Sequence, residues 1–171
     1  MYLGLSIVIT YRRSTGNDLQ GIQNIFGSSF GTRNVYDPNY LRDTENGRYL
    51  LALDDDIVIG MTGIIDSGMY NGYELDWTCL DKNYRGQGIM TTMIQLELSR
   101  VGSVDVYCAC WAGINDAVVH MHHAMDTLGF KLVIPSKVIY NSEHTSWCKK
   151  ECIKYKEGCI CREDLYLRKA T

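Results

Sequence analysis

The chain has 171 residues, 46% apolar, 11% aromatic and 22% charged, with two prolines and a net charge of −3. This length fits one domain, 1–171, able to bury its own core, and the composition excludes a disordered chain, collagen or a solenoid. Residues 1–140 hold 10 Lys/Arg against 15 Asp/Glu, and residues 141–171 hold 7 against 5. The acidic main body suits a cationic substrate and argues against a nucleic-acid partner. In chain order, Leu5–Arg12 reads as an opening strand, its Ile7-Val8-Ile9-Thr10 run being β-branched. The run Leu3–Thr10 is far shorter than the ~20 residues that span a bilayer. Tyr11-Arg12-Arg13 lie on the wrong side of it for a secretory leader. Asn17 or Asp18 caps a helix with the apolar stripe Leu19, Ile22, Ile25 and Phe26, ended by Gly27, the serines after it and Gly31. Asp37-Pro38 opens a second, short helix that ends by Asn46-Gly47.

A hairpin follows. Tyr49–Leu53 and Ile57–Met61 flank Asp54-Asp55-Asp56, read as a solvated turn rather than a metal site. Tyr73–Leu80 is a strand, Gln87–Arg100 a helix, Val104–Trp111 a strand, and Asn115–Leu128 a helix stopped by Gly129. Phe130–Ile134 and Lys137–Tyr140 form a strand or bent pair, and Ile160–Arg168 a last hairpin strand. The order is mixed α/β, and its central β-α-β-α run predicts some parallel pairing. Seven cysteines cannot all pair internally, so free thiols and a reducing cytoplasm are expected.

The segment Arg85-Gly86-Gln87-Gly88-Ile89-Met90 lies at a strand-to-helix turn. A helix start exposes about four unpaired amides and roughly half a positive charge, and glycines let the main chain curl around an anion such as a diphosphate. The chain has no Gly-x-x-x-x-Gly-Lys-Ser/Thr loop, and Thr91 stands where a dinucleotide fingerprint would need a third glycine.

Leu80-Asp81-Lys82-Asn83-Tyr84-Arg85-Gly86-Gln87-Gly88-Ile89, with Leu128-Gly129-Phe130 further on, resembles the acyl-CoA-binding signature of the GNAT superfamily of N-acetyltransferases. The element order fits from about Ser6 to Arg168. The resemblance implies a mixed, mostly antiparallel twisted sheet of about seven strands flanked by about four helices. It implies acetyl-CoA as co-substrate and direct attack by a primary amine of a small molecule or peptide. Arg85, Gly86, Gln87, Gly88, Ile89 and Met90 would bind the diphosphate, Cys79 and Leu80 would line the pantetheine arm, and Asn115 matches the family's asparagine. Met90 stands where the family usually has Gly or Ala, and Met125 where it commonly has Tyr.

An alkylamine with a pKa near ~10.4 must lose a proton before attack. Glu74, on the strand entering Leu80, is the expected base, with Asp76 on the same side and Tyr73, Leu75, Trp77 and Cys79 on the other. The Leu80 N–H is the expected oxyanion donor by resemblance. Met125 has no proton to give, so His122, one turn earlier, is the expected acid. Cys79 raises an acyl-cysteine scheme, set against a small buried thiol, the reading also given to Cys108 and Cys110. Tyr36 and Tyr40 are loose acceptor-pocket candidates.

The tail, about 141–171, spaces Cys148, Cys152, Cys159 and Cys161 as Cys-x3-Cys-x6-Cys-x-Cys, near His144. Only its first pair has the spacing of a structural zinc site, so no metal is assigned. Trp147 and Tyr155 among Lys149, Lys150, Lys154 and Lys156 read as a solvated hairpin. Two other classes compete: a GNAT-like module that holds acyl-CoA without turnover, and a zinc-stapled interaction protein. No membrane partner is expected, and the edge strands leave a homodimer open.

Overall fold

A computed structural model describes residues 8–30, 47–67, 71–112, 117–138 and 162–170. Its strands are β1 (Ile9–Arg13), β2 (Leu50–Asp54), β3 (Ile57–Asp66), β4 (Tyr73–Leu80), β5 (Val106–Ala112), β6 (Lys131–Val138) and β7 (Arg162–Arg168). Among the described residues the helices are α1 (Leu19–Phe30), α2 (Ile89–Val101) and α3 (Ala117–Thr127). The expected helix from Asp37-Pro38 and the cysteine-rich tail up to Cys161 lie outside those residues. No described helix is long and apolar enough to cross a membrane.

The seven strands form one sheet in the order β1-β2-β3-β4-β5-β7-β6. All neighbours are antiparallel except β4 and β5, which run parallel. The sequence reading of a mixed, mostly antiparallel sheet is what the chain adopts.

β2 explains its unbroken apolar run by being covered on both faces. Leu51 and Leu53 join Ile22, Ile25 and Phe26 of α1. Leu50 and Ala52 join Ile89 and Met93 of α2. A third cluster packs Ile94 and Leu98 of α2 and Met125 of α3 on Leu75, Val106, Cys108, Cys110 and Phe130. α3 ends as Gly129 predicts: Gly129 has φ +81°, and the Phe130 and Gly129 amides bond the Met125 and Asp126 carbonyls at 2.9 and 3.1 Å.

Three expectations are corrected. The N-cap ahead of α1 is Thr15, opening a short 3-10 turn, Gly16–Asp18. Asp18 folds back to accept from the Thr15 amide and hydroxyl at 2.7 and 2.8 Å, while Arg12 grips its two oxygens at 2.7 Å each. α1 runs through Gly27 to Phe30. β6 is a single strand whose pairing with β7 slips between Leu132 and Ile134 and again between Ile134 and Lys137. The second slip spans Pro135, which an edge strand tolerates because one of its sides needs no N–H donor.

One buried charge ties the elements behind the site. Glu97 of α2 is fully buried, ion-paired to Arg13 of β1 and, at 3.1 Å, to Arg100. Arg100 also donates to the Ile64 carbonyl of β3 at 3.1 Å.

Candidate active site

The turn from β4 into α2 carries the glycine pair. Asp81 caps a 3-10 turn, Lys82–Tyr84, by accepting the Asn83 amide at 2.8 Å. Arg85, Gly86, Gln87 and Gly88 are all exposed. Gly86 and Gly88 both sit at φ +77° with open space where a Cβ would stand, a conformation that favours glycine. The first α2 bond runs from the Thr92 amide to the Gly88 carbonyl at 3.0 Å, leaving the Ile89, Met90 and Thr91 amides no carbonyl one turn earlier within the helix. An open, glycine-built turn with outward amides fits a diphosphate. Met90 keeps its side chain out of that turn by packing into the core.

The second component is a cleft between β4 and β5. They pair only at Tyr73–Val106 and Glu74–Tyr107. From Leu75 to Leu80, β4 has no paired partner on that side.

Within this stretch β4 changes its facing. Met61 pairs Cys79 but Gly63 pairs Asp76, so Thr62 faces two residues, Trp77 and Thr78. Trp77 has φ +38°, strained for a bulky residue, and Thr78 meets Thr62 hydroxyl to hydroxyl at 2.7 Å. The extra residue inverts the strand's parity. The Tyr73 amide points at β5, bonding Asp105 at 2.9 Å, whereas the Asp81 amide, eight positions on, points at β3, bonding Ile59 at 2.8 Å. A regular strand would aim both the same way. Leu80, paired with Gly60 and next to Asp81, therefore turns its N–H and C=O away from β3 into the cleft. The Arg85 Nε donates to that carbonyl at 3.4 Å. A Cβ on Gly60 would come 2.8 Å from Leu80 Cδ1 and 3.3 Å from the Cys79 carbonyl, so a larger residue there would push the Leu80 side chain aside.

The inversion corrects the expected alternation. Tyr73 and Leu75 pack in the cluster beneath α2 and α3, while Trp77 and Cys79 pack with α1. Trp77 stands edge-on to Phe26 with centroids 4.7 Å apart. Cys79 is buried and its thiol is pushed up to about 12 by that burial, so it is not the nucleophile of an acyl-cysteine scheme. Cys108 and Cys110 are likewise buried thiols, with sulfurs 3.6 Å apart.

Glu74 and Asp76 share the face opposite Leu75, as the alternation up to the bulge requires. Glu74 stands at the apex of the cleft, opposite Tyr107, and accepts from Ser67 Oγ at 3.4 Å. Asp76 binds Arg48 at 2.6 Å. Burial pushes the Asp76 carboxyl up, against the charge and hydrogen bond of Arg48 and a hydrogen bond from Tyr49.

His122 is placed elsewhere. Its Nε2 lies 3.0 Å from Asp164 and 3.4 Å from the Tyr166 hydroxyl, both on β7, and β5 stands between β7 and β4. Met125 is fully buried in the core. Asn115, Tyr36, Tyr40, His144 and Cys148, Cys152, Cys159 and Cys161 lie outside the described residues. Among those described, no group of three or more His, Cys, Asp or Glu side chains could hold a metal ion.

Sequence reasoning missed Arg48, Gly60, Thr62 and the role of Asp54. Asp54 is the last residue of β2, and its Oδ2 accepts the Tyr84 hydroxyl at 2.5 Å. The bulge left no compositional mark, because Trp77 is an ordinary strand residue by type.

The chain matches the model of the Acetyltransferase (GNAT) family over residues 19–130. No curated protein matches it by sequence. Among solved structures it is similar to yncA from Salmonella typhimurium with its cofactor acetyl-CoA, at 15% identity and TM-score 0.69, covering 95% of this chain and 94% of that one. It is also similar to an acetyltransferase of the GNAT family from Bacillus cereus ATCC 10987 (17%, 0.63, 96% and 99%). A third is the ribosomal-protein-S18-alanine N-acetyltransferase of Escherichia coli (12%, 0.63, 94% and 92%). At these identities the likeness is one of fold.

Proposed function

Because the chain belongs to the GNAT acetyltransferase family, we propose that it moves an acetyl group from acetyl-CoA to a primary amine of a small molecule or peptide, in the cytoplasm. The observation that carries this reading is the Leu80 amide, re-aimed by the bulge into the cleft beyond the last β4–β5 pair.

In this reading the amides from Gly86 to Met90 hold the diphosphate, and the cleft takes the pantetheine arm. The Leu80 N–H donates to the thioester carbonyl and more strongly to the oxyanion that forms there. Glu74 takes a proton from the ammonium group through water, which frees the nitrogen lone pair to attack the carbonyl carbon. The carbon–sulfur bond then breaks, and the nitrogen gives its second proton by way of water to the departing thiolate. A thiol pKa of about 8.5 lets the thiolate leave without a dedicated donor, which suits a site where Met125 is core and His122 is committed to Asp164. The ion pair of Asp76 and Arg48 holds the acceptor side in shape. The acetyl-CoA in the yncA structure and the alanine acceptor in the Escherichia coli enzyme's name support cofactor and acceptor class.

The test is calorimetry with CoA, followed by thiol release from acetyl-CoA across a panel of amines. Heat of binding and amine-dependent thiol release are expected. No heat with CoA would overturn the reading. A module that binds without turnover is the second reading, favoured by Met125, and binding with no thiol release from any amine would select it.

A further inference from the structure

The anion-binding turn has little to hold it. Its residues from Arg85 to Gly88 are exposed, and two of them are glycines, which carry the largest backbone entropy to be lost on ordering. Its own ties sit at the long limit of hydrogen bonding: Arg85 N to Lys82 O, Arg85 Nε to Leu80 O, and Gln87 Nε2 to Asn83 O, each 3.4 Å. The residue directly before it is anchored differently. The Tyr84 ring packs against the cluster of Leu50, Ala52, Ile59, Leu80, Ile89 and Met93, and its hydroxyl reaches the end of β2 to bond Asp54 at 2.5 Å.

We propose that Tyr84 and Asp54 act as positioning residues for the diphosphate: the bond between them fixes the start of the Arg85–Gly88 turn, so its amides are arrayed before the ligand arrives. This rests on the acetyl-CoA reading above. The tie spans from the β2–β3 hairpin, on the far side of β3, to the 3-10 turn Lys82–Tyr84 just ahead of Arg85, so it sets the glycine turn against the sheet rather than against itself. The Tyr84 hydroxyl is protonated at neutral pH and so donates, and the Asp54 hydrogen bond raises its pKa further. Preorganisation of this kind shows as affinity, because the ordering is already complete in the free chain.

Calorimetry on the full chain tests it, with CoA and with pantetheine, which lacks the diphosphate. Tyr84→Phe and Asp54→Ala are each expected to weaken CoA about tenfold, the scale of one hydrogen bond to a charged group. Pantetheine should change less than about twofold, and the double variant should be no worse than either single one, as for two partners of one bond. Asp54→Asn keeps an acceptor oxygen and should retain near wild-type affinity, which serves as the rescue should the other variants fold poorly. CoA affinity unchanged in Tyr84→Phe, or an equal loss for both ligands, overturns the proposal while leaving the acetyl-CoA reading intact. A wild-type chain without affinity for CoA overturns both.

Discussion

Glu74 and Asp76 have the same chemistry and different circumstances. Asp76 is locked at 2.6 Å to Arg48, whereas the contact from Ser67 to Glu74 is 3.4 Å. In the mechanism proposed above the base is Glu74, at the last β4–β5 pair, and Asp76 is the partner of Arg48. Glu74→Gln is expected to lower turnover about 10²–10⁴-fold at neutral pH, the usual worth of a general base. Turnover should recover partly near pH 10, where the free amine is abundant without help; an unchanged pH–rate profile would reject Glu74. At this scale the sequence was generous about the turn and poor about its supports. Gly86 and Gly88 announce themselves because φ +77° demands glycine. Arg48 and Thr62 do not, since an arginine or threonine fits almost any exposed or strand position and only its partner makes it matter.

At the scale of elements, β4 decides the site through one residue too many. Its span, Tyr73–Leu80, was readable from its flanks, but its facing was not. Period-two alternation assumes a regular strand, and the extra residue at Trp77 breaks that assumption, so Trp77 and Cys79 pack with α1 and not, as expected, on the face of Tyr73 and Leu75. The bulge is held by the Thr62–Thr78 hydroxyl pair and the Phe26–Trp77 contact. Thr62→Val removes the first of these without changing volume. Turnover should fall about tenfold with KM for acetyl-CoA little changed, short of the roughly 10²–10³ lost with a whole oxyanion donor. Thr62→Ser should restore it. A Thr62→Val protein with full turnover would show that the bulge needs no such clamp. His122 was legible as a residue on α3 but its partners Asp164 and Tyr166 on β7 were not, because helix periodicity names its face but not the strand beneath that face.

For the whole molecule, the charges behind the sheet set how stability answers to pH. Hydrogen bonding from Arg12 holds the Asp18 carboxyl well below the usual carboxylate range, helped by Thr15 and opposed by burial. A depressed carboxylate stabilises fully above its unfolded value of about 3.9 and loses that contribution as pH falls through the folded one. Asp18→Asn should therefore cost about 1–2 kcal/mol at pH 7, allowing for solvent around the Arg12 guanidinium. The gap between variant and wild type should shrink when urea unfolding is repeated at pH 2.5. A gap of the same size at both values would mean that packing, not charge, is what Asp18 contributes. The mixed order of elements, with some parallel pairing, was legible because apolar runs, turn residues and helix starts follow each other in clear order. The mostly antiparallel plan of about seven strands came instead from the resemblance around Arg85–Met90.

That join is short: two residue pairs couple one half of the sheet to the other. Beyond those two pairs β4 and β5 part like facing pages, and the Leu80 amide looks into the gap between them. An extended guest with amides of its own would stitch those pages, serving at once as reactant and as missing rung. Heat tolerance and occupancy should then rise together, by about 2.7 kcal/mol once the guest reaches a hundredfold its Kd.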